Sequence, residues 1–274
     1  MYRGYFLNLQ RNEQRRNVLL THLNDIGAAA RYERWDAVDG KAAAANHPTK
    51  LDPGNLGLWL SHERLLNAAP ADKHIHILED DAILGRNAVA VLDDMLTYMD
   101  ESPRSWDLLF TDVFLQPRTD LFVMFLNQVR EFGQKRNYSL LDLAKIDFAG
   151  TASMLINKNS IQKYLGVVTS NWSVGAPIDI FLRDAIHKGK LNAYVSVPFV
   201  TSISAESNSS DIRGNMDRSR RVCDMLRRGL FQEANVEGLL AELRQLTTGA
   251  KVSPLVNLYL NAEMFMLSDQ WQSF

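Results

Sequence analysis

Strand and helix signals alternate along the first two hundred residues of this 274-residue chain, and few folds accommodate that order. Residues 4–9 are a compact apolar and aromatic run that reads as a buried strand. Residues 12–26 follow with helical spacing at Val18, Leu19, Leu23 and Ile26, stopped by Gly27. Residues 32–38 read as a second strand ending at the turn signal Asp39-Gly40, and 42–53 as a loop of small residues. A helix over 56–69, a strand over 74–78, a helix over 89–99 and a strand over 106–111 come next. This order predicts an α/β fold whose mainly parallel sheet is covered by helices. Residues 114–143 lack a clean period and read as an insertion or long loop. A strand over 146–156 containing Gly150, helices over 159–165 and 178–187 and a strand over 191–200 complete the pattern. From Met216 onward helix formers dominate, over 216–231, 236–246 and 255–267. The expected organisation is therefore a catalytic domain over 1–212 and a helical C-terminal extension over 213–274.

The third strand carries the strongest chemical signal. His74-Ile75-His76-Ile77-Leu78 runs directly into Glu79-Asp80-Asp81. Three adjacent carboxylates repel one another, and a divalent cation neutralises them best; Mg²⁺ and Mn²⁺ take such hard oxygen ligands. Ligand crevices of open α/β sheets lie beyond the carboxyl ends of the strands, which is where these acids fall. A solvated acidic turn is the plain alternative for an isolated Glu-Asp-Asp. His74 and His76 alternate on one strand face and read as structural.

Composition removes whole classes. A content of 46% hydrophobic and 23% charged residues is that of a globular protein, neither disordered nor membrane-spanning. A net charge of −2 gives no general electrostatic footprint for nucleic acid. The single Cys223 rules out an intramolecular disulfide framework and fits a reducing compartment. The opening residues are too short for a secretory h-region, and no run approaches the ~20 apolar residues of a membrane span. A cytoplasmic location is expected.

Several blocks, in order, resemble glycosyltransferase family 25, which includes bacterial lipopolysaccharide galactosyltransferases and the collagen galactosyltransferases. They are Tyr5-Phe6-Leu7-Asn8-Leu9-Gln10-Arg11 with Arg15-Arg16, Asp36-Ala37-Val38-Asp39-Gly40, Leu56-Gly57 with Leu60-Ser61-His62, and Leu78-Glu79-Asp80-Asp81. Phe148-Ala149-Gly150-Thr151-Ala152, Pro177-Ile178-Asp179 and Ser210-Asp211-Ile212 look like the later blocks. Met154 and Ser202 depart from the residues common in the family. The resemblance implies a GT-A type nucleotide-sugar-binding sheet and metal-assisted, inverting transfer of a sugar, usually galactose, from a UDP-sugar to a glycan or glycolipid acceptor. On that reading Asp81 with Glu79 or Asp80 would hold Mn²⁺ or Mg²⁺ as a Lewis acid. Asp179 is the first candidate for the base and Asp112, just past the fourth strand, the second. An N-terminal helix cap is the alternative role for Asp179. Asn8, Ala37, Val38 and Asp39, at predicted strand ends, are candidates to meet the nucleotide, and Arg11 to approach its phosphates; Arg15 and Arg16 read as a solvated helix face. His62 becomes a site candidate through the family match, and Asp80 is expected beside the nucleotide.

The arginine-rich stretch Arg213, Arg218, Arg220, Arg221, Arg227 and Arg228 suggests peripheral contact with the inner membrane face, against a solvated-helix alternative. Met264, Phe265, Met266, Leu267 and Trp271 suit packing on a partner or on the catalytic domain. Two other functions stay open: a nucleotide-sugar-binding module or pseudoenzyme without transfer activity, and a metal-dependent nucleotidyltransferase. The latter calls for a phosphate loop or a lysine beside the strand, and Lys50 is the nearest.

Overall fold

A computed structural model describes residues 1–115, 138–204, 218–249, 253, 254 and 258. The chain forms two compact units, Met1–Gln116 with Tyr138–Ala234, and Pro117–Asn137 with Asn235–Phe274.

The first unit is built on a seven-stranded sheet of order β2-β1-β3-β7-β5-β8-β6. Its strands are β1 (Tyr2–Asn8), β2 (Tyr32–Asp36), β3 (His74–Glu79), β5 (Leu108–Leu115), β6 (Ser139–Asp142), β7 (Phe148–Ile156) and β8 (Ala193–Val197). β2, β1, β3, β5 and β8 run in one direction, and β7 and β6 are antiparallel to their neighbours. The mainly parallel expectation thus holds for five strands of seven. A separate two-stranded ribbon pairs β4 (Ala82–Leu84) with β9 (Thr201–Ile203), and neither its three-residue strands nor β6 stands out in the sequence pattern. Helices α1 (Glu13–Asp25), α2 (Gly40–Ala43), α3 (Pro53–Ala68), α4 (Ala88–Glu101), α5 (Ile161–Val168), α6 (Ile178–His187) and α7 (Arg218–Gly229) complete the unit.

Local chemistry sets these boundaries. Asp52 caps α3 by accepting the Asn55 amide, and Pro53 occupies the first turn, where a missing N–H costs nothing. α4 buries Leu92, Met95, Leu96 and Met99, one helical stripe. That stripe joins Leu19 and Leu23 of α1 and Tyr2, Phe6, Leu78, Leu109 and Leu155 of the sheet in one cluster. β3 is buried over five successive residues from His74 to Leu78, as a strand covered on both faces must be. α3, α5 and α6 touch one another, and α6 packs on β7.

Polar groups inside the sheet are paired. Tyr32 Oη lies 2.8 Å from His76 Nδ1, His76 Nε2 lies 2.8 Å from Ser153 Oγ, and Thr111 Oγ1 lies 2.5 Å from Ser153 Oγ and 2.9 Å from Thr201 Oγ1. Burial lowers the His76 pKa to about 3, so the ring is neutral and serves as a hydrogen-bond link. His74 bonds Asp100 at 3.0 Å and stacks on Trp106. Both histidines are held by hydrogen bonds within the fold, in keeping with the structural reading.

α7, which lies beyond the expected catalytic span of 1–212, falls in the first unit. Cys223, Met225 and Arg227 are buried in it, and Cys223 and Arg227, four residues apart, share one face of the helix. In the second unit α8 (Val236–Thr247) is capped by Asn235, whose side chain accepts the Gly238 amide at 3.0 Å. The expected helix over 255–267 apart from Leu258, the residues Met264 to Trp271, the Ser210-Asp211-Ile212 block and most of the predicted insertion lie outside the described residues. Among the described residues no helix is long and apolar enough to cross a membrane.

Candidate functional site

Parallel registration aligns three carboxyl ends. Asn8 sits opposite Asp36 and Leu7 opposite Glu79, so the residues after β1, β2 and β3 open side by side. A cleft of about 460 Å³ lies there, completed by the start of α1 and the first turns of α2 and α3. Of the expected residues Arg11, Ala37, Val38, Asp39, Glu79, Asp80 and Asp81 line it; Asn8, His62, Asp112 and Asp179 do not. Five carboxylates, Asp39, Asp52, Glu79, Asp80 and Asp81, face three cations, Arg11, Arg15 and Lys41.

Close backbone approach shapes the wall. A Cβ on Gly40 would stand 1.7 Å from the Pro53 carbonyl oxygen, and one on Gly57 2.5 Å from that of Val38. Only glycine lets α2 and α3 meet there. Ser61 Oγ accepts the Val38 amide at 2.8 Å and donates to the Gly57 carbonyl at 2.6 Å, which pins the end of β2 to α3. Arg11 pairs with Asp39 at the mouth, and Asp39 also caps α2 through the Lys41 amide.

The acids are held from several sides. Asp80 Oδ2 accepts from Asn8 Nδ2 at 2.7 Å, and Arg15 Nη2 lies 2.7 Å from Asp80 Oδ1 and 3.1 Å from Asp81 Oδ2. Burial pushes the Asp80 carboxyl up, against the pull of the Arg15 charge and the Asn8 hydrogen bond. Glu79 Oε1 accepts from Thr151 Oγ1 at 3.0 Å. Asp81 is 6% exposed and its Oδ1 is buried without a hydrogen-bond partner. Among the described residues no three His, Cys, Asp or Glu side chains converge as a ready metal cage. The oxygens themselves suit a hard cation, and Arg15 stands on two of them.

Four expected residues take other places. Asn8 is 1% exposed: it bonds Asp80 and the Asn12 carbonyl and accepts from Arg34 Nε at 3.1 Å, so it orients the acid instead of facing the cleft. His62 points into the helices, 3.1 Å from Tyr164 Oη, and burial lowers its pKa to about 4. Its neighbour Ser61 is the one that reaches the cleft. Asp112 is fully buried, with both carboxylate oxygens bonded by Arg227 at 2.7 and 2.5 Å, which leaves it in a saturated ion pair. Asp179 is half-buried in the first turn of α6, where Pro177 holds the cap position; its carboxylate accepts the Gly150 and Ile180 amides, both at 2.8 Å. Gly150 adjoins Thr151, the partner of Glu79, so Asp179 hangs on the strand that touches the acid cluster. A φ of +94° at Gly150 suits glycine.

Arg15, expected on a solvated helix face, is 20% exposed and pairs with Asp80 and Asp81, Arg227 of the basic stretch is buried on Asp112, and Asp52 and Lys41 are additions to the expected site. Met154 is fully buried and Ser202 is 4% exposed in β9, so these two departures from the family's residues fall in the core. Lys50 does not line the cleft. Of the arginine-rich stretch, Arg221 is exposed, Arg227 is buried on Asp112, and Arg228 pairs with Asp224, so the stretch is not one uniform basic face.

Solved structures similar in part include two of different activities. Mouse xyloside xylosyltransferase 1 in its apo form has a TM-score of 0.40 at 10% identity, with 71% of this chain and 84% of that one covered. A mannose-1-phosphate geranyltransferase from Thermus thermophilus has a TM-score of 0.31 at 10% identity, covering 71% and 72%. Neither likeness bears on the reaction. A comparison with curated protein sequences finds no match. The profile of glycosyltransferase family 25 (LPS biosynthesis protein) matches residues 1–182, a span that includes the cleft, the acids after β3 and Asp179. With two thirds of its length matched in this way, the chain belongs to glycosyltransferase family 25.

Proposed function

We propose that this glycosyltransferase is metal-dependent and inverting, and that it moves a sugar, galactose by family expectation, from a UDP-sugar to a hydroxyl of a glycan acceptor such as lipopolysaccharide. The observation that carries the reading is the charge of the cleft. A diphosphate entering among five carboxylates and three cations meets net repulsion, which a divalent cation at Glu79 and Asp81 removes. The unpartnered Asp81 Oδ1 is an oxygen available to such an ion. Mn²⁺ or Mg²⁺ bound there supplies Lewis-acid stabilisation of the leaving diphosphate.

The protein's own groups do the rest. Strand ends at Ala37 and Val38, pinned by Ser61, offer backbone groups to base and ribose. Arg11 and Lys41 reach toward phosphate, and Asn8 keeps Asp80 aimed. Asp179 takes the proton of the acceptor hydroxyl as that oxygen bonds to the anomeric carbon; the bond to the diphosphate breaks and its electron pair leaves with phosphate. Its two amide hydrogen bonds fix the carboxylate in place. Work on a lipid-linked glycan would bring the protein to the inner membrane surface from the cytoplasm.

Calorimetric titration of UDP-galactose, UDP-glucose, UDP-N-acetylglucosamine and CMP-sialic acid, each with and without Mn²⁺, tests the proposal. Mn²⁺-dependent binding of one UDP-sugar is the expected result. Binding of none of the four would overturn it in favour of a protein without donor chemistry.

A further inference from the structure

Buried polar atoms in folded proteins nearly always have partners, so a group of orphans marks a place built for something else. Among the described residues three such atoms belong to Asp81 and to two residues bonded to it: Asp81 Oδ1, Arg15 Nε and Ser204 Oγ. Arg15 touches Asp81 directly at 3.1 Å, and the Ser204 amide donates to the Asp81 carbonyl at 2.8 Å. The same guanidinium bridges to Asp80 at 2.7 Å, and the side chains of Arg15, Asp80 and Asp81 are 20%, 10% and 6% exposed. Two neighbouring carboxylates with so little access to water require a counter-charge, and Arg15 provides it.

We propose that Arg15 is the resident counter-ion of the Asp80–Asp81 pair and that a divalent cation gains Asp81 as this guanidinium passes to a phosphate of the incoming nucleoside diphosphate. The inference rests on the metal-dependent reading above. A guanidinium on Asp81 Oδ2 and a divalent cation on Oδ1 of the same carboxylate repel each other strongly at that separation, so the binding of one weakens the hold of the other. Asp80 stays in place when Arg15 leaves, because Asn8 holds its other oxygen. Arg15 also lines the cleft beside Arg11 and Lys41, so its planar fork has phosphate within the same cavity as its destination. Cation and donor then bind as a coupled pair, and the coupling is reciprocal. Arg15 is in this sense a positioning residue, whose effect is read in metal affinity before any turnover.

The test is calorimetric titration of Mn²⁺ alone, then Mn²⁺ with UDP present, into chelator-treated wild type, R15Q and R15K. Mn²⁺ alone should bind R15Q about tenfold tighter than wild type, within the usual span of a coupling between sites, and R15K should fall between. The tightening that UDP produces in wild type should shrink severalfold in R15Q. Equal affinity of wild type and R15Q for Mn²⁺ alone overturns the proposal while leaving the metal-dependent reading standing. Absence of Mn²⁺ binding by all three proteins, with and without UDP, overturns that reading and this proposal together. If thermal melting shows R15Q to be unfolded, R15K decides by the same criterion, since a lysine keeps the charge but loses the fork.

Discussion

Two acids on same-direction strands on either side of β7 have met opposite fates. Asp81, after β3, is 6% exposed, shares one arginine with Asp80, and keeps an oxygen without a partner at the edge of a cleft. Asp112, in β5, is fully buried and has both oxygens bonded by Arg227. An acid directly after an apolar run is the same sequence signal in both cases, although Asp112 proves to lie within β5. Whether it becomes a ligand or a structural ion pair depends on what the rest of the chain brings to it: a cleft and a shared arginine in one case, a dedicated arginine from α7 in the other.

The sharpest way to break this contrast is to remove each acid separately. Asp81→Ala should cut sugar transfer by about three orders of magnitude, near 4 kcal/mol of transition-state stabilisation, with little change in melting temperature. Transfer that persists at the wild-type rate in Asp81→Ala, with chelator present, would end the metal assignment. Asp112→Ala should do the reverse and act through the fold. It strands a buried guanidinium, costs about 3–5 kcal/mol, and should lower the melting temperature by roughly 10 °C, recovered in the double variant Asp112→Leu with Arg227→Met. A melting curve for Asp112→Ala that overlays the wild type would mean that the ion pair does not hold α7 to the sheet.

Asp179, on α6, separates chemistry from binding. Asp179→Asn should retain donor affinity in calorimetry while transfer falls about a hundredfold or more, the usual contribution of a positioned base. Normal transfer by that variant would reduce Asp179 to an anchor for Gly150. The smallest effect is expected at Ser61→Ala, which leaves the Val38 amide without its acceptor: about 1–2 kcal/mol, read as a severalfold weaker donor affinity at unchanged maximal rate. A fall in maximal rate with donor affinity intact would move Ser61 from the cleft wall to the chemistry.

Much of the site was legible because its signals are local. Glu79-Asp80-Asp81 follows an apolar strand and Asp39-Gly40 is a turn signal, both visible in a short stretch of chain, whereas Gly57 and Ser61 stood out only through the family resemblance and act on Val38, about twenty residues away. Asn8 and His62 were legible as important residues but not as to where they face. A strand-end asparagine can meet a ligand or a neighbouring strand's acid, and only the 2.7 Å contact with Asp80 decides between them. Ser61 and His62 are successive on a helix and so diverge by about 100°, which sends one to the cleft and the other to Tyr164.

What the sequence determined by itself is the alternating order of strands and helices, the family, and the acids at the end of β3, because periodicity and adjacency are properties of neighbours along the chain. Only the tertiary structure decided that β7 and β6 reverse direction, that Arg15 sits on the acids, and that Arg227, 115 residues beyond Asp112, closes over it. Such pairings depend on burial and charge compensation between distant segments. Neither has a signature within a window of a few residues, since the partner that lowers the energy of a buried charge can come from anywhere in the chain.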